Sequence, residues 1–346
     1  MKKRTFTRRD FLATTSAAAA VLAAPAIVHA QAKELRVLTW EGYAEPDWVE
    51  PFKKTTGANV NIVYTGSVDE MFAKMQGSKG ADFDVVAFDT SSFARYIDGS
   101  LLQPLEIAKL ANAANILPAF QKVDPIMRDD KHYGVPFAWG SLPLVYDADA
   151  FPTPPESWTA MWDEQYIQQM IALDDANNSI VLGALVLGLK NPYNLSEDEF
   201  TQVKEKLIAQ KKLLLTYYAG FDDGVNIFAQ NKIKLMFSMG EPQVPALKAK
   251  GVNAALTIPK EGAIGWLDCW VISAGAKDVD LAHAWINACL DKSVGNILSS
   301  KKAYGNTTDD PANKAAGMTY GDRLSWLLTP ENFEKRVAIW NEVKAS

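Results

Sequence analysis

The chain has 346 residues, is 48% hydrophobic and carries a formal net charge of −6. That is enough apolar material for two ordinary domains, and the acidic balance argues against nucleic acid or anionic lipid as a partner. Beyond the first thirty residues no apolar run reaches the ~20 residues of a membrane span; the longest, "IVLGALVLGL" from Ile180 to Leu189, reads as a buried helix.

Residues 1–30 read as a cleaved targeting segment rather than as part of the fold. A basic start, the pair Arg8 and Arg9 ahead of Asp10, Phe11 and Leu12, an alanine-rich stretch and "VHA" before Gln31 form a secretory signal of the twin-arginine kind, with cleavage expected after Ala30. The segment holds five basic residues and one acid, so its removal takes the net charge from −6 to −10. A periplasmic location is expected, which permits but does not require a bridge between Cys269 and Cys289.

In chain order, "ELRVLTW" is a strand by its alternation, followed by the loop "EGYAEP" and a helix that stops before Gly57. The strand "NVNIVYT" comes next, then a helix opened by Ser67 with Glu70 as a capping box, then the apolar strand "FDVVAF". This βαβαβ order predicts a mostly parallel sheet with helices on both faces. After "YGVPFAWGSLPLVYD" a second α/β region follows: the strand "MIALDD", the helix from Ile180, a helix capped by Ser196 and Glu199, and the strand "IKLMFSM". "GWLDCWVIS" then resembles the strands of the first region, and a helix carries Leu281, Trp285 and Cys289 at i, i+4 and i+8.

Catalytic and cofactor signatures are not found. The only histidines past residue 30 are His132, in a charged turn, and His283, within the Trp285 helix, where packing is the expected role. There is no CxxC, HExxH, calcium loop, GxxxxGK[ST] or GxGxxG. No enzyme, metal or cofactor is expected, although a hydrolase built on paired carboxylates needs none of these motifs.

What does stand out is an acid or an aromatic at each strand end. Trp40 and Tyr43 follow the first strand, Asp89, Ser91 and Ser92 close another, Asp174 and Asp175 follow "MIAL", and Glu241 follows "FSMG". In "GWLDCWV" the alternation puts Trp266, Asp268 and Trp270 on one face. Aromatic faces stack on methylenes and attract cations at about 0.5–2 kcal/mol each, and carboxylates anchor ammonium groups. A cleft between two lobes lined this way suits a slim ligand with positive ends.

"VLTWEGYAEP", "GVPFAWGS", "EGAIGWLDCWVI" and "AYGNT" together resemble, in order and spacing over nearly all of residues 31–346, the periplasmic polyamine-binding proteins, the spermidine/putrescine receptors of ATP-driven importers. The resemblance implies an α/β two-lobe periplasmic binding protein fold of type II with a hinge. It also implies a monomer with no chemistry of its own, and a permease partner in the inner membrane. The lobes are expected at 33–138 with 267–303 and at 143–265 with 306–346. It carries ligand contacts onto Trp40, Tyr43, Asp89, Ser91, Asp175, Glu241, Trp266, Asp268 and Tyr304. Two departures narrow the ligand: Asn178 stands where spermidine receptors carry a glutamate, and the aromatic expected near "FSMGE" is either Phe237 or replaced by Ser238. Putrescine remains open, as do 4-aminobutyrate, an opine, another amino acid or a sugar.

Overall fold

The opening βαβαβ run forms as its pattern implies. β1 (Glu34–Thr39), β2 (Asn59–Tyr64) and β3 (Val85–Asp89) are parallel, with β1 between the other two. α1 (Pro46–Thr56) starts on a proline that needs no N–H partner and ends at Gly57, whose φ of 69° only glycine adopts freely. Ser67 caps α2 (Val68–Ser78) by accepting from Glu70 N–H. The Glu70 carboxylate turns to Gly66 N–H instead of Ser67's, so this capping box is half made. α3 (Phe93–Asp98) follows, and β4 (Leu102–Gln103) leads to the small hairpin of β5 (Met127–Arg128) and β6 (Lys131–His132).

This computed structural model describes residues 33–346; the expected signal segment, residues 1–30 with its cleavage site, lies outside the described residues. No helix among them is long and apolar enough to cross a membrane. The chain leaves the first sheet where β7 (Val135–Leu142) passes through Pro143 into β8 (Leu144–Asp147) of a second sheet. There β9 (Met170–Leu173), α4 (Ala176–Val186), α5 (Glu197–Lys211), β10 (Thr216–Tyr218), α6 (Phe221–Gln230), β11 (Leu235–Phe237), α7 (Gln243–Ala249) and β12 (Ala254–Thr257) build the second lobe, in strand order β10-β9-β11-β8-β12. Ser196 and Glu199 form the full capping box of α5.

The return strand, β13 (Ala263–Ser273), begins earlier than the 267 expected for the first lobe. It is antiparallel to β3 and β7 and sits between them, so the sheet is mixed where a mostly parallel one was expected, because the chain returns from the second lobe in the opposite direction. α8 (Val279–Cys289), α9 (Lys292–Lys302), β14 (Gly305–Asn306) and α10 (Asp310–Ala315) follow, with β14 paired to β7. β15 (Leu324–Trp326) pairs with the start of β13, and α11 (Phe333–Ala345) closes the second lobe by packing Ile339, Trp340 and Val343 against α4 and α5. Residues 306–346 were expected in the second lobe; β14 and β15, too short to show a pattern, tie residues 305–326 to the first sheet.

Cys269 and Cys289 are both buried free thiols. They belong to separate apolar clusters on opposite faces of the sheet, Cys289 beneath the helix with Leu281 and Trp285. His283 is buried, accepting from Glu106 N–H through Nε2 at 2.9 Å, which is the packing role expected of it.

Candidate functional site

Three elements of the first lobe converge at one sheet edge. β1 ends at Thr39, and the turn through Gly42, at a φ of +92°, folds Tyr43 back beneath the edge. There the Tyr43 hydroxyl donates to Asp268 Oδ2 at 2.7 Å, and its ring stands edge-on to Phe137 and Tyr304 at 5.2 and 5.7 Å. Asp268 lies directly opposite Asp89 in the antiparallel register of β13 and β3. Asp89 Oδ1 in turn accepts from Ser91 N–H at 2.8 Å and from the Ser91 hydroxyl, capping the turn that follows.

Asp268 is 6% exposed. Burial first, and then the neighbouring Asp89 charge, push its pKa up to about 8, while the Tyr43 hydrogen bond pulls the other way. Burial likewise raises Tyr43 well above its ordinary value, and raises Tyr304 to about 12. Near neutral pH an unliganded Asp268 is therefore mostly protonated.

The second lobe contributes Glu241, buried in the loop after β11. Its Oε1 accepts from Ser141 N–H at 2.8 Å, the Ser141 hydroxyl at 2.6 Å and the Tyr320 hydroxyl at 2.6 Å. Oε2 is buried with no partner. Leaving such an oxygen unmatched costs roughly 1–3 kcal/mol, and burial raises the Glu241 pKa against the pull of Ser141 and Tyr320. Glu241 and Tyr320 also wall a cavity of about 560 Å³ that has Val244 of α7 on one side and Ser299 and Ala312 of α9 and α10 on the other.

Gly140 explains how Glu241 and Trp266 meet. It is the cross-strand partner of Trp266, and a Cβ there would stand 2.3 Å from Trp266 Cζ2 and 2.8 Å from Glu241 Oε2. A bare backbone lets the indole lie across β7 beside the carboxylate. Trp266 is half-buried and meets Tyr304 edge-on at 5.5 Å; Trp40 is half-buried with its indole nitrogen enclosed and unpartnered. Trp270, which the alternation puts on the same strand face as Trp266 and Asp268, lies outside the site. It is fully buried against Phe137 and Trp285, because β13 runs on beneath α8 and the register slips between Asp268 and Cys269.

Asp175 caps α4, accepting from Asn178 N–H at 2.7 Å, and burial raises its pKa against those backbone bonds. Asn178 Oδ1 is buried without a partner. Phe237 is core, packed edge-on against Trp158, so it supplies no aromatic to the cleft. Asp174 points elsewhere, bonded to Trp340 and Lys344.

Among the described residues no lysine, arginine or histidine pairs with Asp89, Asp175, Asp268 or Glu241. Nor does any group of three or more potential ligands form a metal site among them. Acids with no cationic partner from the chain either keep a proton or would accept a positive charge from outside it.

The family model for bacterial extracellular solute-binding proteins matches residues 47–320. The chain belongs to this solute-binding protein family. Among similar proteins, the putrescine-binding periplasmic protein PotF of Escherichia coli is 27% identical over 303 residues, 83% of this chain and 80% of PotF. A spermidine/putrescine-binding periplasmic protein of Salmonella typhimurium is 26% identical over 269 residues, 77% of this chain and 75% of its own length. The crystal structure of the spermidine/putrescine transporter substrate-binding protein PotD from Streptococcus pneumoniae superposes with a TM-score of 0.78 at 20% identity, covering 90% of this chain and 98% of that one. That likeness shows the shared two-lobe α/β fold.

Within this solute-binding protein the structure gathers Tyr43, Asp89, Ser91, Trp266, Asp268 and Tyr304 on the first lobe and brings Glu241 to Trp266 from the second, while Trp40, just past β1, meets Tyr43 through its backbone carbonyl, which accepts from Tyr43 N–H at 3.3 Å. Asp175 is not joined to them by a direct bond, although the Asp69 charge of the first lobe acts on it. Sequence reasoning missed Ser141 and Tyr320, the partners of Glu241. Ser141, a polar residue in the apolar strand "VPFAWGSL", carries a signal that could have been read; Tyr320, in a loop 79 residues from its partner, carries none.

Proposed function

We infer that this chain is a receptor for a polyamine-class cation, which it captures between its lobes in the periplasm and delivers to an ABC importer. Asp268 carries the reading: a buried carboxylate whose one side-chain partner is a tyrosine and whose opposite neighbour is another acid. An ammonium group there would be held by Asp268, Asp89 and the Tyr43 oxygen, with its methylenes against Trp40, Trp266 and Tyr304. Glu241, with its unmatched oxygen, would take charge further along, and Asp175 would face the far end. The names of the relatives support the ligand class. A ligand touching both lobes favours the closed arrangement by its differential affinity, which is the state a permease would read.

Asn178 favours a shorter or less charged ligand than a triamine, since an amide occupies the far end next to Asp175. That leaves an ω-amino acid or an opine as the second reading. Calorimetric titration of protein unfolded and refolded to strip carried-over ligand separates them. Putrescine should bind one-to-one with a Kd near or below about 10 µM, ahead of spermidine, 4-aminobutyrate and a neutral sugar. Binding of 4-aminobutyrate alone would move the assignment to the second reading, and silence toward every amine would sink both.

A further inference from the structure

The last stretch of chain touches both acid-bearing loops. Leaving β15, Leu327 N–H donates to Gly265 O at 2.7 Å, and Leu327 O accepts from the buried Thr90 hydroxyl at 2.8 Å. The Thr329 hydroxyl donates to Ser91 O at 2.6 Å. Thr90 and Ser91 directly follow Asp89, so residues 327–329 grip the loop that presents this carboxylate.

Two residues on, Glu331 N–H donates to Tyr193 O at 2.9 Å, and the chain is on the second lobe. From α11 the Trp340 indole donates to Asp174 Oδ1 at 2.7 Å and Lys344 Nζ to the same oxygen at 2.9 Å. Arg336, fully buried and paired with no carboxylate among the described residues, donates to Asn177 Oδ1 at 3.1 Å and Pro192 O at 2.7 Å. Adjacent residues of an extended chain point to opposite sides. Fixing Asp174 on α11 therefore leaves its neighbour Asp175 turned away from α11.

We propose that residues 327–344 are a strap that sets the spacing between the Asp89 loop of one lobe and the Asp175 loop of the other, and so the length of ligand that bridges them. Thr90, Thr329 and Trp340 are its positioning residues: none needs to touch the ligand. A strap anchored at both ends limits how far the acids separate, and each carbon added to a diamine moves its ammonium by more than a hydrogen bond tolerates. The strap thus converts a count of methylenes into affinity.

The ligand arm of the test rests on the amine-receptor reading; a distance arm does not. Spin labels are placed through Lys54→Cys on α1 and Lys248→Cys on α7, both exposed, while the native thiols are buried and unlabelled. In ligand-free protein the interlabel distance distribution should be narrow, and should broaden when Thr90→Val and Thr329→Val remove the two hydroxyls. An unchanged distribution overturns the strap. In the ligand arm, native protein should prefer one of 1,3-diaminopropane, putrescine, cadaverine and 1,6-diaminohexane by about tenfold, and the double variant by no more than about threefold. Equal discrimination in both also overturns it. If native protein ignores every diamine, the amine reading fails and the distances still decide the strap. Should the double variant lose its cooperative melt, Trp340→Phe, which keeps an aromatic ring at that position and loses the indole N–H, repeats both arms from the other anchor.

Discussion

Asp268 has a single hydroxyl partner, Tyr43, and a second acid, Asp89, across the strand pair, and its titration follows from that arrangement. With its pKa raised to about 8, the empty site holds a proton at neutral pH. An arriving ammonium favours the ionised form, so binding releases that proton. Amine affinity should then climb as pH rises through the neutral range, by up to about tenfold per pH unit, and flatten above about pH 8. Calorimetry in buffers of different ionisation heat checks it: near neutrality the slope should report close to one proton released per ligand. The same shift bears on stability. A carboxyl whose folded pKa exceeds its unfolded value costs nothing at pH below the unfolded value; the cost grows as pH rises and is complete above the folded pKa. Asp268→Asn, which keeps the Tyr43 hydrogen bond, should therefore abolish amine binding and raise the Tm of ligand-free protein by several degrees at about pH 8, the gain shrinking toward pH 4. The acid in an apolar strand was legible from its neighbours alone. Its proton was not, because Asp89 comes opposite it only through pairing across 179 positions, and register is invisible to a one-dimensional pattern.

At the scale of elements, β7 and β13 make the site possible by what one of them lacks. Gly140→Ala would push a methyl group into the Trp266 ring and Glu241 Oε2 at once. Overpacking of this kind costs about 1–3 kcal/mol, and swinging the indole away should weaken amine binding about tenfold or more. Gly77→Ala is the control: nothing lies within 4 Å of that added carbon in α2, so stability should rise by up to about 1 kcal/mol with affinity unchanged. Thermal melts and titrations of both variants check the pair. Long elements with marked ends were readable in advance, such as α5 with its Ser196 and Glu199 box and α1 with its Gly57 stop. The two-residue β14 and three-residue β15 were not, since neither is long enough to show a period. Trp270 shows the limit of alternation: it shares a side with Trp266, yet depth along the strand decides that one meets the cleft and the other the core.

For the whole molecule, two sheets are joined through Pro143, through the segment before β13 and through residues 327–331, and one apolar cluster draws side chains from both. A ligand that binds only the folded chain stabilises it by about 2.7 kcal/mol at a hundred times its Kd. Putrescine at that excess should raise the Tm by roughly 4 °C, and Asp268→Asn should show no such rise. The strand-helix alternation made the α/β class readable from sequence, and the family resemblance added its two lobes. The tie of residues 305–326 to the first sheet came only with tertiary pairing.

The placement of the tryptophans has an optical consequence. Trp158, Trp270 and Trp285 are sealed in the interior, whereas Trp266 stands half-buried beside Glu241. A cation settling against Trp266 changes the field across that indole and leaves the sealed ones as they were, so the emission spectrum of the unlabelled chain becomes a readout of occupancy, with a constant internal background to measure it against.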